Sequence, residues 1–508
     1  MIGLVAGLLT LLLHGATASR YGYFRDELYF IACAHHLAWG YVDQPPLVAI
    51  AAWLALPFGE ALLALRALPV LAAACTTFAA VAIARELGGG KFAQILAAVT
   101  VGLMPAYLAL GNVLTTSSFE GLSWTLVAWM TIKLIRARNE QRPLLWLALA
   151  AAVAFGLYGK YSMGLFVACA LCGLLLTKQR SVLRSPWFLG AIAVTAALVA
   201  PNFIWQLAHG FPFLDVLRGD AAHRHAFNNG LVLESRNLAS NTIAYIGEQI
   251  LYTNPVAVPV WVAGLIGPFA AVRLRDIRFV SIAWMLLMIA AIALEAKGYY
   301  TTGVYASLFA VGSAVVEKAA VWLRTAALAC IAAVAVVSMP MSLPVLSIDG
   351  FLGYSKAIGL TGRDGGPVRL IQPLYAEEFG WDRLARDVSH TYDALPPGTR
   401  ALTAIYADTY ADAGAIDFFG PAYGLPKAIS SQNTYWLWGP REYDGETLIA
   451  IGASRIDILK RYYGSCDLVA TSTEPLKWIV EGPSPIYFCR GAKAPFSDIW
   501  KHLRWYGA

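Results

Sequence analysis

The sequence predicts a polytopic α-helical membrane protein of about eleven transmembrane helices, followed by an extracytoplasmic α/β domain. Two observations carry this prediction. Of 508 residues, 58% are hydrophobic and only 14% charged, with a mean hydropathy of +0.57; soluble proteins run at roughly 45–50% apolar and about 25% charged. The formal net charge of +6 is also unevenly spread. Residues 1–344 hold 22 Lys/Arg against 14 Asp/Glu, whereas residues 345–508 hold 16 against 18. The chain therefore reads as a membrane region, 1–344, and a C-terminal domain of ordinary composition, 345–508. This balance excludes an ordinary cytosolic enzyme, a disordered chain and a basic nucleic-acid binder.

A helix needs roughly 20 apolar residues to cross about 30 Å of hydrocarbon. The stretches that approach this are 2–18, 61–84, 92–110, 118–135, 143–159, 161–177, 186–206, 254–272, 279–296, 300–316 and 321–343. Short loops rich in Lys and Arg lie at 85–91, 133–142, 178–184, 273–278 and 317–324, each after an even-numbered stretch. Basic short loops stay in the cytoplasm. The N-terminus is then cytoplasmic, and residues 345–508 face the other side with loops 19–60, 105–117 and 207–253. The first stretch ends in Ala16-Thr17-Ala18, which fits a signal-peptide cleavage site, but it lacks a basic n-region and is read as a retained helix. Five of the seven cysteines lie in or beside apolar segments. Cys466 and Cys489 lie in the C-terminal domain, where a disulfide is plausible on an oxidising side.

The densest polar chemistry follows the first stretch, in Arg25-Asp26-Glu27. Stretches 28–39 and 47–58 are apolar but too short to cross, and read as interfacial helices. Between them Asp43-Gln44-Pro45-Pro46 forms a turn that presents another carboxylate. One reading makes these charges helix caps and headgroup contacts; the other makes Asp26 a catalytic base, which needs a fixed carboxylate near its substrate. Lys160 and Lys297 stand on the outer side against the positive-inside trend, with Tyr299 and Tyr300 beside the second. Lys and Tyr together suit a phosphate, and the alternative is snorkelling to headgroups. Glu120 at a helix end is ambiguous in the same way. So is His223-Arg224-His225, which either binds substrate or is merely solvated.

These segments resemble the GT-C membrane glycosyltransferases of the family 39 type, such as protein O-mannosyltransferases and the bacterial aminoarabinose and related lipid A transferases. The likeness is carried by YFRDELYF at 23–30, GYVDQPPLVA at 40–49, LTTSSFEGLSW at 114–124, GLYGKYSMGLF at 156–166 and KGYYTTGVY at 297–305. NTYWLWGPREY at 433–443 resembles a C-terminal segment of bacterial members. The first loop is its specific part. The resemblance implies an inverting glycosyltransferase in the inner membrane, moving a sugar from a polyprenyl-phosphate donor to a lipid, glycan or protein acceptor on the periplasmic face. It implies Asp26 as the base, with Glu27 orienting Asp26 or the acceptor. Substrate contacts are expected from Arg25, Asp43, Gln44, Glu120, Lys160, Lys297, Tyr299 and Tyr300, and no metal cofactor is obligatory. Two departures stand out. Lipid A transferases carry Glu-Lys before the paired prolines where this chain has Asp43-Gln44. An acidic residue is also expected in the second external loop, and here Glu120 stands in at a shifted position or the role is absent.

Residues 345–508 alternate strand-like runs (401–406, 447–452, 486–489) with helical ones (376–392, 409–419, 454–463), which predicts an α/β domain. Gly362, Gly365 and Gly366 do not form a phosphate loop, lacking a strand before and a helix after. Tyr435-Trp436-Leu437-Trp438 either stacks on a sugar or packs internally. The domain reads as an acceptor-recognition or lid element without a catalytic group. The rival function is a transporter or lipid flippase, which would place ionisable residues near mid-membrane within repeated halves; no repeat is evident. A structural or receptor-like membrane protein is a third class.

Overall fold

The computed structural model describes residues 1–137, 142–223, 238–359, 373–452, 454–476 and 482–507. The chain divides into two compact units. One comprises Met1–Ser19, Leu63–Ile204 and Gly230–Val345; the other comprises Arg20–Leu62, Trp205–Asn229 and Leu346–Ala508.

The first unit is all helical. Each of the eleven apolar stretches is helical over much of its length, but not all reach spanning length. Among the described residues five helices are long and apolar enough to cross a membrane: Leu62–Glu86, Arg142–Gly159, Pro186–Ala208, Val272–Ala293 and Val321–Met341. Two bent pairs, Ser162–Leu175 with Lys178–Arg184 and Ala239–Tyr252 with Pro255–Ala270, raise this to seven if each is one span. The predicted 92–110 stretch is broken into Lys91–Gly102 and Pro105–Leu110, because Pro105 has no N–H to continue the ladder. Helix Tyr305–Val316 is buried from Tyr305 to Ala314. It approaches helix Val258–Ala270 so closely that a Cβ on Gly264 would strike the Leu308 carbonyl, and one on Gly312 the Val260 carbonyl. Small residues at such crossings let apolar helices pack backbone to backbone.

Four of the five basic loops meet at one end of this unit. Arg136 pairs with Asp276 at 2.7 and 3.2 Å and donates to the Glu86 carbonyl. Arg273 donates to the carbonyls of Leu87 and Ala314. Glu317 accepts the N–H groups of Gly90 and Ala93. Their shared end is the geometric counterpart of their shared charge.

The second unit holds a five-stranded sheet of order β2-β1-β3-β5-β4, from β1 (Thr403–Ala407), β2 (Ile429–Ser430), β3 (Thr447–Ile451), β4 (Tyr463–Ser472) and β5 (Ser484–Ala492). β1 runs parallel to β2 and β3, with Ile405 opposite Ile449; β5 is antiparallel to β3 and β4. Cys466 and Cys489 face each other across β4 and β5 and form a disulfide. β1 is buried throughout, and its run of Ala, Ile and Tyr suits a strand covered on both faces.

Residues of the first loop belong to this unit, which corrects one expectation. Helix Arg25–His35 does not present the free apolar face expected of an interfacial helix: it is buried from Glu27 to Ala34. Its middle, Leu28 to Ala34, is apolar on every side, and a helix without a polar face is covered all round. Helix Tyr410–Phe419 packs on it, with Gly414 so close that a Cβ there would stand 2.9–3.0 Å from the backbone of Leu28 and Tyr29. The second short stretch, Leu47–Ala55 with the turn Leu56–Phe58, keeps Trp53, Leu54 and Phe58 exposed.

Candidate active site

Asp26 stands in the first turn of helix Arg25–His35, where the aligned N–H groups favour a negative charge. Its side chain is 28% exposed. The Tyr410 hydroxyl donates to Asp26 Oδ1 at 2.9 Å, and Arg25 Nε lies 3.7 Å from the same oxygen. Arg25 in turn meets Glu377 at 3.4 Å and lies over the Tyr410 ring, 5.3 Å from its centre. Glu27 is fully buried, and its carboxylate accepts the Phe24 N–H at 2.8 Å. It fixes the start of the helix that carries Asp26, by the logic of a capping box.

Asp43 is the second carboxylate of this unit. The Tyr29 hydroxyl donates to Asp43 Oδ1 at 2.8 Å and lies 2.8 Å from Thr434 Oγ1, which accepts the Val42 N–H. Burial pushes the Asp43 carboxyl up to about 7, and the charge of Asp26 adds to the rise. Tyr29 lies 4.7 Å from Tyr410 and 6.0 Å from Tyr435, ring centre to ring centre. Two neighbouring tyrosines thus each hold one carboxylate. Gln44, expected to touch substrate, is instead buried with Nε2 3.8 Å from Cys33 Sγ. Its backbone carbonyl accepts the Tyr41 N–H at 3.2 Å, which closes the turn before Pro45.

The first unit brings together a second set. Lys160 Nζ lies 3.2 Å from Glu120 Oε2 and donates to Ser117 Oγ at 2.7 Å. Ser162 donates to the other Glu120 oxygen. The ammonium sits 3.7 Å from the centre of the Tyr300 ring and 5.5 Å from that of Tyr299. Glu120 is 4% exposed, so the lysine compensates a buried carboxylate. Lys297 is exposed at the start of the turn Gly298–Val304, and among the described residues no hydrogen bond or ion pair joins it to this set. The cationic partner of the two tyrosines is Lys160, 139 positions earlier in the chain.

Tyr410, Glu377 and Thr434 escaped the sequence reading because they lie hundreds of residues from the loop they serve. Ser117 and Ser162 do carry a local signal, standing three and two positions from Glu120 and Lys160. The aromatic run 435–438 packs internally: Trp436 Nε1 donates to the Trp500 carbonyl, and Trp438 stacks on His36 at 4.5 Å. His223 ends a helix, while Arg224, His225, Gly362, Gly365 and Gly366 lie outside the described residues. Among the described residues no group of three or more His, Cys, Asp or Glu forms a metal-sized cluster.

Residues 43–205 match the family described as dolichyl-phosphate-mannose-protein mannosyltransferase. No curated protein matches the chain. Among solved structures, ArnT from Cupriavidus metallidurans bound to undecaprenyl phosphate superposes with a TM-score of 0.62 at 12% identity, covering 95% of this chain and 97% of that one. The same protein in the apo state gives 0.61 at 13% identity with the same coverage. At such identities the likeness is one of fold. The chain thus carries the signature of that family over residues 43–205 and shares the fold of ArnT over nearly its whole length.

Proposed function

We propose that the protein is an inverting glycosyltransferase that moves a sugar from a polyprenyl-phosphate donor to a lipid, glycan or protein hydroxyl. The observation that carries this reading is Asp26: a carboxylate oriented by a buried tyrosine, yet still 28% exposed. The superposition on a structure bound to undecaprenyl phosphate supports the choice of donor. In the reaction Asp26 takes the proton of the acceptor hydroxyl as its oxygen attacks the anomeric carbon. The bond from that carbon to the phosphate oxygen breaks, the configuration inverts, and polyprenyl phosphate leaves with the bonding pair. Charge then develops on phosphate, and preorganised donors stabilise it. Lys160 and the tyrosines at 299 and 300 are assigned this role, with Lys297 and Arg25 as further cations. Asp43, protonated over part of the neutral range, is assigned to hydrogen-bond a sugar or acceptor hydroxyl.

Eleven membrane crossings belong to the same proposal, with the N-terminus and the basic loops in the cytoplasm of an inner membrane. Residues 345–508 are then periplasmic, and their disulfide suits an oxidising compartment. The test is transfer by purified protein in lipid, using undecaprenyl phosphates that carry labelled sugars and an extract of envelope acceptors. Release of undecaprenyl phosphate with label moved to acceptor is the expected result. Movement of the lipid between leaflets without cleavage would place the protein among flippases instead.

A further inference from the structure

We propose that Tyr410 is a positioning residue for the Asp26 carboxylate, which makes residues 346–508 a working part of the reaction centre. This rests on Asp26 being the base, and it goes beyond the expectation of an acceptor-recognition or lid element without a catalytic group. Tyr410 opens helix Tyr410–Phe419, and its hydroxyl reaches Asp26 Oδ1 at 2.9 Å. The residue is 7% exposed, and its backbone N–H donates to Gln432 Oε1 at 2.7 Å. Thr409 caps the same helix by accepting the Asp412 N–H. The ring has Tyr29 at 4.7 Å and the Arg25 guanidinium at 5.3 Å. Arg25 is itself tied to Glu377, another residue of the C-terminal part. One turn further along, Gly414 lets the helix backbone press against Leu28 and Tyr29. Tyr410 is therefore clamped at backbone, ring and hydroxyl, and its only ionisable group is aimed at Asp26.

The chemistry follows from the direction of the bond. Burial pushes the Tyr410 phenol well above its ordinary value, so it stays a donor wherever the enzyme works. A donor to a carboxylate favours the ionised form, the one that accepts a proton. It also fixes the plane of the carboxylate, and misplacement of a reacting group by 1 Å costs up to about 100-fold in rate.

Tyr410→Phe removes the hydroxyl and keeps the ring under Arg25. The expected result is a kcat lower by roughly 10- to 100-fold, with the donor KM nearly unchanged and the acidic limb of the pH–rate profile moved to higher pH. The limb is independent of how much protein folds, so a variant in poor yield still answers the question. A wild-type limb and wild-type kcat in Tyr410→Phe, with Asp26→Asn inactive, would overturn the role of Tyr410 alone. Full activity in Asp26→Asn would instead remove the base on which the proposal stands.

Discussion

Asp43 turns a feature of the structure into a pH-dependent stability. Its carboxyl is raised from 3.8 to about 7 by burial first and by the neighbouring Asp26 charge second. In the folded protein it holds a proton up to about pH 7, whereas the unfolded chain releases it near 4. A folded-state value above the unfolded one contributes stability that is complete below pH 4 and is lost as pH rises to 7. Each pH unit in that window is worth about 1.4 kcal/mol, so between pH 5 and 8 this group withdraws about 3 kcal/mol. Asp43→Asn keeps an acceptor for the Tyr29 hydroxyl and carries no charge, so it lacks the loss. The variant should therefore gain about 3 kcal/mol on wild type between pH 5 and pH 8, or roughly 6–12 °C in melting temperature at about 2–4 °C per kcal/mol. Comparing the two proteins cancels other titrating groups, such as Asp408, which burial raises to about 6. The assay is thermal unfolding in detergent across that range. A variant-minus-wild-type difference that stays constant from pH 5 to pH 8 would show that Asp43 does not titrate in that window.

Other consequences are as definite. Lys160→Met strands the Glu120 carboxylate in a buried site and should cost about 3–5 kcal/mol, while adding Glu120→Gln recovers part of it; unfolding of the single and double variants measures the coupling. Gly414→Ala places a methyl 2.9 Å from the Leu28 backbone, and should cost about 1–3 kcal/mol through overpacking, with a fall in activity because the helix bearing Tyr410 is displaced. Replacing Cys466 and Cys489 by serine opens a loop with a sequence separation of 23, and should lower stability by about 3 kcal/mol on chain-entropy grounds, seen as earlier unfolding without change in donor KM.

What was legible in the sequence was what local composition controls. The apolar stretches and the basic loops mark helices and their ends, because the bilayer rewards length and charge asymmetry directly. Lys160 and Lys297 stand out by their exception to the charge rule, but the meeting of Lys160 with Glu120, Tyr299 and Tyr300 comes from contacts far apart in the chain and has no local signal. Gln44 is buried against Cys33, a contact that a polar residue in a turn does not announce. The burial of helix Arg25–His35 was missed for a related reason: an apolar helix too short to cross has two homes, an interface or a protein core, and only the partner helix Tyr410–Phe419 decides. β4 was missed because an edge strand with a largely exposed face lacks the alternation that marks half-buried strands. Tyr410 itself gives no local signal, since its chemistry comes from a contact 384 positions away.

The proposed reaction turns on Asp26 as the base. Sugar transfer from a labelled undecaprenyl-phosphate donor, timed over a single turnover by wild type and by Asp26→Asn in the same lipid, measures that claim. A general base contributes roughly 100- to 10,000-fold, so the variant should bind donor normally and transfer at least 100-fold more slowly. Transfer by Asp26→Asn within twofold of wild type would contradict it.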